Sequence, residues 1–330
     1  MKISSIARCA LAALSLYACA ASAQEAPAEA PEQVVVTGQR PGPGLWKVSR
    51  DGHVLWVFGS YSPLPAGMDW RSHEVEAILA QSQEYIHSPG ARADFSFFRS
   101  VTLLPRLIGI RKNPDGKELR DVLPSDVYER WLAAKAKYIG DDGSIERERP
   151  MFVADTLFRK GLAKSGLGDG RQVRSTIDGL LKKYKIKTTL AEVKLELDDP
   201  GKALSNFKQS QLDDVACFTK TLDGLEGDID AMRQRANAWA IGDIEVIEKM
   251  DFAGRDKSCQ DAVFNSTFMK SQPGLQSLDI RMRDAWIAAA EKALAANAST
   301  FSTLPLKDIL GDRSYLALLA EKGYTVEKPE

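Results

Sequence analysis

Asp51-Gly52 sits between two short β-prone runs, Leu45 to Ser49 and Val54 to Phe58. An Asp-Gly pair in that setting specifies a tight hairpin. The turn needs residues at positive φ, which glycine adopts without cost and aspartate tolerates. This one turn commits the start of the chain to a sheet, and later segments have to cover its faces. The second run ends at Gly59, and a loop rich in proline and glycine extends from Ser60 to Trp70. Ser72 is placed to cap a helix that carries Val75, Ile78 and Leu79 on one face. A short strand, Glu84 to His87, comes next and is stopped by Pro89-Gly90.

The middle of the chain reads as helical. Ser125 is placed to cap a segment with Val127, Trp131 and Ala134 in register, and Met151–Leu162 and Val173–Tyr184 are two more helices. Ile186 to Leu190 has the composition of a strand. The clearest helical pattern runs from Leu222 to Trp239, with Leu225, Ile229, Met232 and Ala236 at steps of three and four and Gly242 as the stop. A long helix from about Leu275 to Ala296 carries Leu278, Met282, Ala285, Trp286 and Ala289 on one face. After it come a β-prone piece, Thr300 to Leu304, a helix, Tyr315 to Ala320, and a last strand, Tyr324 to Glu327. Both ends of the chain thus supply strands. The expected fold class is α+β: a mixed β-sheet built from both ends, with a largely helical middle acting as a cap. No internal repeat is present.

Residues 1–23 have the three parts of a secretory signal peptide. Lys2 and Arg8 form a basic region, Ala10 to Ala20 is an apolar run, and Ala21-Ser22-Ala23 is a small-residue cleavage site. Leu16-Tyr17-Ala18-Cys19 also loosely resembles a lipoprotein cleavage site. Residues 24–43 read as a flexible tether, because the Ala/Pro/Glu-rich start lacks the apolar periodicity that builds a core. The folded domain is expected over residues 44–330, in the periplasm or secreted, with no membrane-spanning segment in the mature chain.

Cysteine usage agrees with export. Cys9 and Cys19 leave with the signal, and Cys217 and Cys259 form an even pair of the kind that oxidising compartments join as a disulfide. Neither has a CxxC partner or a nearby histidine, which argues against zinc. The formal net charge is −1, and becomes about −3 once Lys2 and Arg8 are removed. With no basic stripe interleaved with aromatics, nucleic acid is excluded as a partner.

The residues that could carry chemistry are few. The only histidines are His53, His73 and His87, and none falls in an HExxH or HxH spacing. No serine lies in a GxSxG elbow and no glycine loop suits a phosphate.

The run LWKVSRDGHVLWVFGSYSPLPAGMDWRSHEVEAILAQSQEYIH, Leu45 to His87, resembles the opening of the TraB/GumN family, which is related to the Tiki metalloproteases. Ser299–Glu327 and the helix beginning RMRDAW at Arg281 resemble its later parts. The resemblance implies a fold with the strands and helix described above. It also implies a metal site at GxxH motifs. Here the chain departs from the family. The first GxxH falls on Gly59-Ser60-Tyr61-Ser62, so Ser62 stands where a metal-binding histidine is expected. The glutamate that closes the strand after the first helix falls at His87 or Ser88. The second GxxH falls on Thr303-Leu304-Pro305-Leu306, and an Arg-Asn pair becomes Arg281-Met282.

A catalytic metal needs about three protein ligands and an open position. Losing two imidazoles and a carboxylate removes such a site. The expectation is therefore a non-catalytic member with no metal and no other cofactor. Its former active-site cleft, at Gly59, Ser62, His87, Ser88 and Arg281, would bind an envelope protein, a peptide or a saccharide. The alternative is an active hydrolase. It would use metal held by His53, His73 or His87, or Ser62 as a nucleophile with His87 as its base.

Overall fold

The computed structural model describes residues 43–93, 103–195, 199–210, 212–249 and 254–329. The expected signal peptide and all but the end of the expected tether lie outside the described residues. Every described residue falls in one unit spanning Gln33–Glu330.

The hairpin forms as its turn chemistry demands. Strands β1 (Leu45–Arg50) and β2 (His53–Ser60) pair antiparallel, with Asp51 at φ 52° and Gly52 at φ 83°. The chain then passes through β3 (Leu64–Pro65) into helix α1 (His73–Gln81) and strands β4 (Glu84–Ile86) and β5 (Gly90–Arg92). The helical middle includes α2 (Ser125–Tyr138), α3 (Pro150–Lys164) and, after the short strand β6 (Leu167–Gly168), α4 (Arg171–Tyr184). Next come strands β7 (Lys187–Thr189) and β8 (Glu192–Lys194), and helices α5 (Val215–Gly227), α6 (Ile229–Ala240) and α7 (Gly254–Phe264). The small pairs β3–β6 and β5–β8 stand apart from the main sheet. The chain closes with α8 (Leu278–Ala296), β9 (Ser299–Pro305), α9 (Leu306–Ile309), α10 (Tyr315–Glu321) and β10 (Thr325–Glu327).

The main sheet has six strands in the order β10-β1-β2-β9-β4-β7. β10, β1 and β2 are antiparallel neighbours, whereas β2, β9, β4 and β7 run parallel. The α+β class and the mixed sheet drawn from both chain ends are as expected. β9 sits between β2 and β4, and five consecutive residues of it are buried, so both faces of the sheet are covered. On one face Phe301 stacks with Phe58 and Tyr85, beside Trp70 and Trp239. On the other, the Trp286 Nε1 of α8 donates to Ser302 Oγ at 3.2 Å. A separate hydrophobic cluster holds the helical middle together. It contains Trp131, Leu157, Phe218 and Leu222, and the Cys217–Cys259 disulfide joins α5 to α7 beside it.

Three local expectations are corrected. Ser72 occupies the cap position of α1, but its side chain makes no capping hydrogen bond. Ser125 is the first helical residue of α2, and Pro124 takes the cap position. Leu222–Trp239 is two helices, broken at Asp228, which ends α5 and begins α6. Glycines at 224 and 227 weaken the end of α5. The apolar period runs on across the break because its members serve different cores. Leu222 and Leu225 pack in the helical cluster, Met232 with Leu162 and Leu167, and Ala236 and Trp239 under the sheet.

Candidate functional site

The four parallel strands end on the same side of the sheet, and a cleft of about 570 Å³ opens there. This is where open sheets with parallel strands generally bind ligands, because the chain leaves the strands in loops that can diverge. The floor is set by register. Tyr85 pairs with Phe301, and Phe58 with Thr303, so Ser60, His87 and Thr303 come up on one face at three neighbouring strand ends. One wall is α4, which presents Val173, Arg174, Ile177 and Asp178 at helical spacing. Leu190 and Glu192, from the extension of β7 into β8, stand at the rim with Lys307 of α9.

Polar groups in the cleft are partly spoken for. Ser88 Oγ donates to the Thr303 carbonyl at 2.6 Å, and Tyr85 Oη donates to Thr303 Oγ1 at 3.1 Å. The ring of His87 packs edge-on against Tyr85, centroids 4.8 Å apart. Burial raises the Tyr85 phenol, and burial pushes Tyr61 up to about 12 despite the nearby Arg235. Both hydroxyls therefore remain protonated donors at neutral pH. Arg174 is held on Asp169 at 3.0 Å. The mixture of tyrosine, leucine, serine and both signs of charge suits an amphipathic ligand.

The structure brings together three of the residues named from the sequence: Ser62, His87 and Ser88 all line the cleft. Gly59 and Arg281 do not. Gly59 is buried one residue short of the strand end, and its carbonyl accepts a hydrogen bond from Trp239. Arg281, on α8, donates to the carbonyls of Gly274 (2.8 Å) and Lys194 (3.3 Å), tying the helix start to the end of β8. Cys217 and Cys259 are bonded, as expected. The α4 residues went unseen in sequence, since nothing in a helix at residues 171–184 points to strands a hundred residues earlier. Tyr61 and Tyr85 lay inside the family-like run and were legible in principle as donors flanking Ser62 and His87.

Among the described residues, neither of the two hydrolase arrangements named from the sequence is assembled. No hydrogen bond joins Ser62 to His87, and no carboxylate among the described residues lies within ion-pair distance of His87. Of the three histidines, only His87 lines the cleft. His53 opens β2, seven residues and roughly 23 Å of strand from the cleft, with its Nδ1 bonded to the Asn297 carbonyl at 2.7 Å. His73 is exposed in the first turn of α1. Among the described residues no three His, Cys, Asp or Glu side chains converge in a way that could hold a metal ion. The metal implied by the resemblance therefore does not fit the donors among the described residues.

Comparison with known families places residues 44–328 under one model, that of the TraB/PrgY/gumN family. Comparisons with curated proteins and with solved structures give no match.

Proposed function

The chain belongs to the TraB/PrgY/gumN family, and we propose that it is an exported, non-catalytic member that uses the cleft at the strand ends to bind. The carrying observation is the donor set of that cleft. Where the family pattern calls for an imidazole at the end of β2, the exposed residue is Ser62, and His87 is the one imidazole that lines the cleft among the described residues. A serine hydroxyl is a poor neutral ligand for a catalytic metal, and one histidine without a carboxylate partner does not make a site. What remains is a concave surface with apolar side chains and a few hydrogen-bonding groups, which is how binding clefts are built.

Export is part of the same reading. It is supported by the signal-like residues 1–23 and by the Cys217–Cys259 bond, which an oxidising compartment maintains. No described helix is long and apolar enough to cross a membrane. The bound molecule would be an envelope protein, a peptide or a saccharide, and the tether over residues 24–43 would give the domain reach.

The experiment is elemental analysis of the exported protein, purified from the periplasm of an expressing bacterium after challenge with zinc, manganese and cobalt and then desalting. The expected result is less than about a tenth of an equivalent of any metal. One tightly held equivalent, lost in His87→Ala, would overturn the reading and put a metal hydrolase in its place.

A further inference from the structure

Residues 104–109, Leu-Pro-Arg-Leu-Ile-Gly, are six consecutive exposed residues. Three of them are large hydrophobics left in water: Leu104 at 58%, Leu107 at 43% and Ile108 at 76% exposure. They belong to a short exposed turn with firm roots. A helical turn covers residues 103–107, and Leu103 beneath it is buried. The turn closes with Ile108 N–H to the Pro105 carbonyl (3.3 Å) and Ile110 N–H to the Leu107 carbonyl (3.0 Å). Beyond it, the backbone of Lys112 forms an isolated antiparallel β-bridge with Glu148, and Arg149 N–H donates to the Arg111 carbonyl at 2.8 Å. The apolar tip is thus held out by an ordered base.

Its charge is one-sided. Residues 103–112 include Arg106, Arg111 and Lys112 and no acid, in a chain whose formal net charge is −1. Arg106 packs beside Gly201, and the next residue, Lys202, is exposed. Among the described residues, Glu148 pairs with Arg111 at 2.9 Å and Asp199 lies close to Gly201.

We infer that this exposed turn is a contact for an anionic lipid surface. Leucine and isoleucine at the tip enter the boundary between headgroups and acyl chains, while Arg106, Lys112 and Lys202 remain at the headgroup level, their alkyl stems along the apolar layer. The shape favours lipid over protein. A stable protein interface needs about 800 Å² on each side with interlocking surfaces, and three exposed large side chains do not supply it. A fluid surface requires only insertion. The contact is peripheral and reversible, since so few side chains cannot anchor the chain alone.

The test is sedimentation of the exported protein with vesicles of phosphatidylcholine alone or with about a third phosphatidylglycerol. The expected result is partition at least about tenfold stronger on the anionic vesicles, weakened by salt. Leu104→Ser combined with Ile108→Ser should abolish it, and Arg106→Gln combined with Lys112→Gln should reduce it several-fold. The altered side chains are exposed, and an unchanged melting temperature confirms that each variant is folded. Equal partition on both vesicles, or full binding by the serine variant, overturns the inference. So does a native chain that ignores vesicles but dimerises, with the serine variant monomeric, which would make a second copy the occupant.

Discussion

Trp239 Nε1 donates to the carbonyl oxygen of Gly59 at 2.6 Å, across 180 residues of sequence. The bond fixes helix α6 against the end of β2, immediately below the cleft. A Cβ at Gly59 would lie 2.5 Å from Leu306 and 2.7 Å from Trp46, so the strand, α9 and the β1 tryptophan close on a glycine. Gly59→Ala is expected to cost about 1–3 kcal/mol through overpacking. Trp239→Phe should cost a similar amount by leaving a buried carbonyl unpaired. Urea unfolding of each variant checks both; a loss below about 0.5 kcal/mol in Gly59→Ala would show that Leu306 moves aside freely.

The Cys217–Cys259 bond closes a loop between residues 42 apart in sequence. On the chain-entropy account, removing it costs about 3–4 kcal/mol. Cys217→Ala with Cys259→Ala should melt well below the native protein, and a reducing agent should lower the native melting point toward that of the variant. Because the bond stands by the helical cluster, proteolysis of the destabilised form should begin in residues 212–264 rather than in the sheet.

Asp214 is buried, and desolvation lifts its carboxyl to about 6, although it accepts a hydrogen bond from Met151 N–H at 2.9 Å. The folded state therefore binds this proton more tightly than the unfolded chain, whose aspartate titrates near 3.9. The stabilising contribution is complete below the unfolded value and disappears as pH rises through about 6. The effect is on the order of 2–3 kcal/mol. Asp214→Asn keeps an acceptor for Met151 and should flatten the dependence of stability on pH between about 4 and 6. An unchanged slope in denaturation measured across that range would assign the titration to another group.

Leu190 lines the cleft and is 54% exposed. Leu190→Arg should leave the melting temperature within about 1–2 °C, as exposed substitutions generally do, and should abolish binding at the cleft. Native mass spectrometry of the exported protein with panels of short peptides and oligosaccharides supplies the readout. A ligand retained equally by both forms would lie elsewhere on the molecule.

Elements that depend on near neighbours were legible in the chain before any folding was known. Asp51-Gly52 dictated the hairpin, the steps of three and four at Val75, Ile78 and Leu79 dictated α1, and two cysteines without other partners dictated the bond between them. Such signals are read within a turn of helix or a pair of strands, where geometry repeats every two or 3.6 residues. Features that depend on distant pieces meeting emerged with the folded molecule. β9 is inserted between β2 and β4, an unbroken apolar period is split at Asp228 because separate cores share it, and Gly59 becomes a packing contact. Arg281 stands away from the cleft, and α4 forms its wall. Strand order and facing helices are set by which buried surfaces fit one another over hundreds of residues, and no local spacing carries that information.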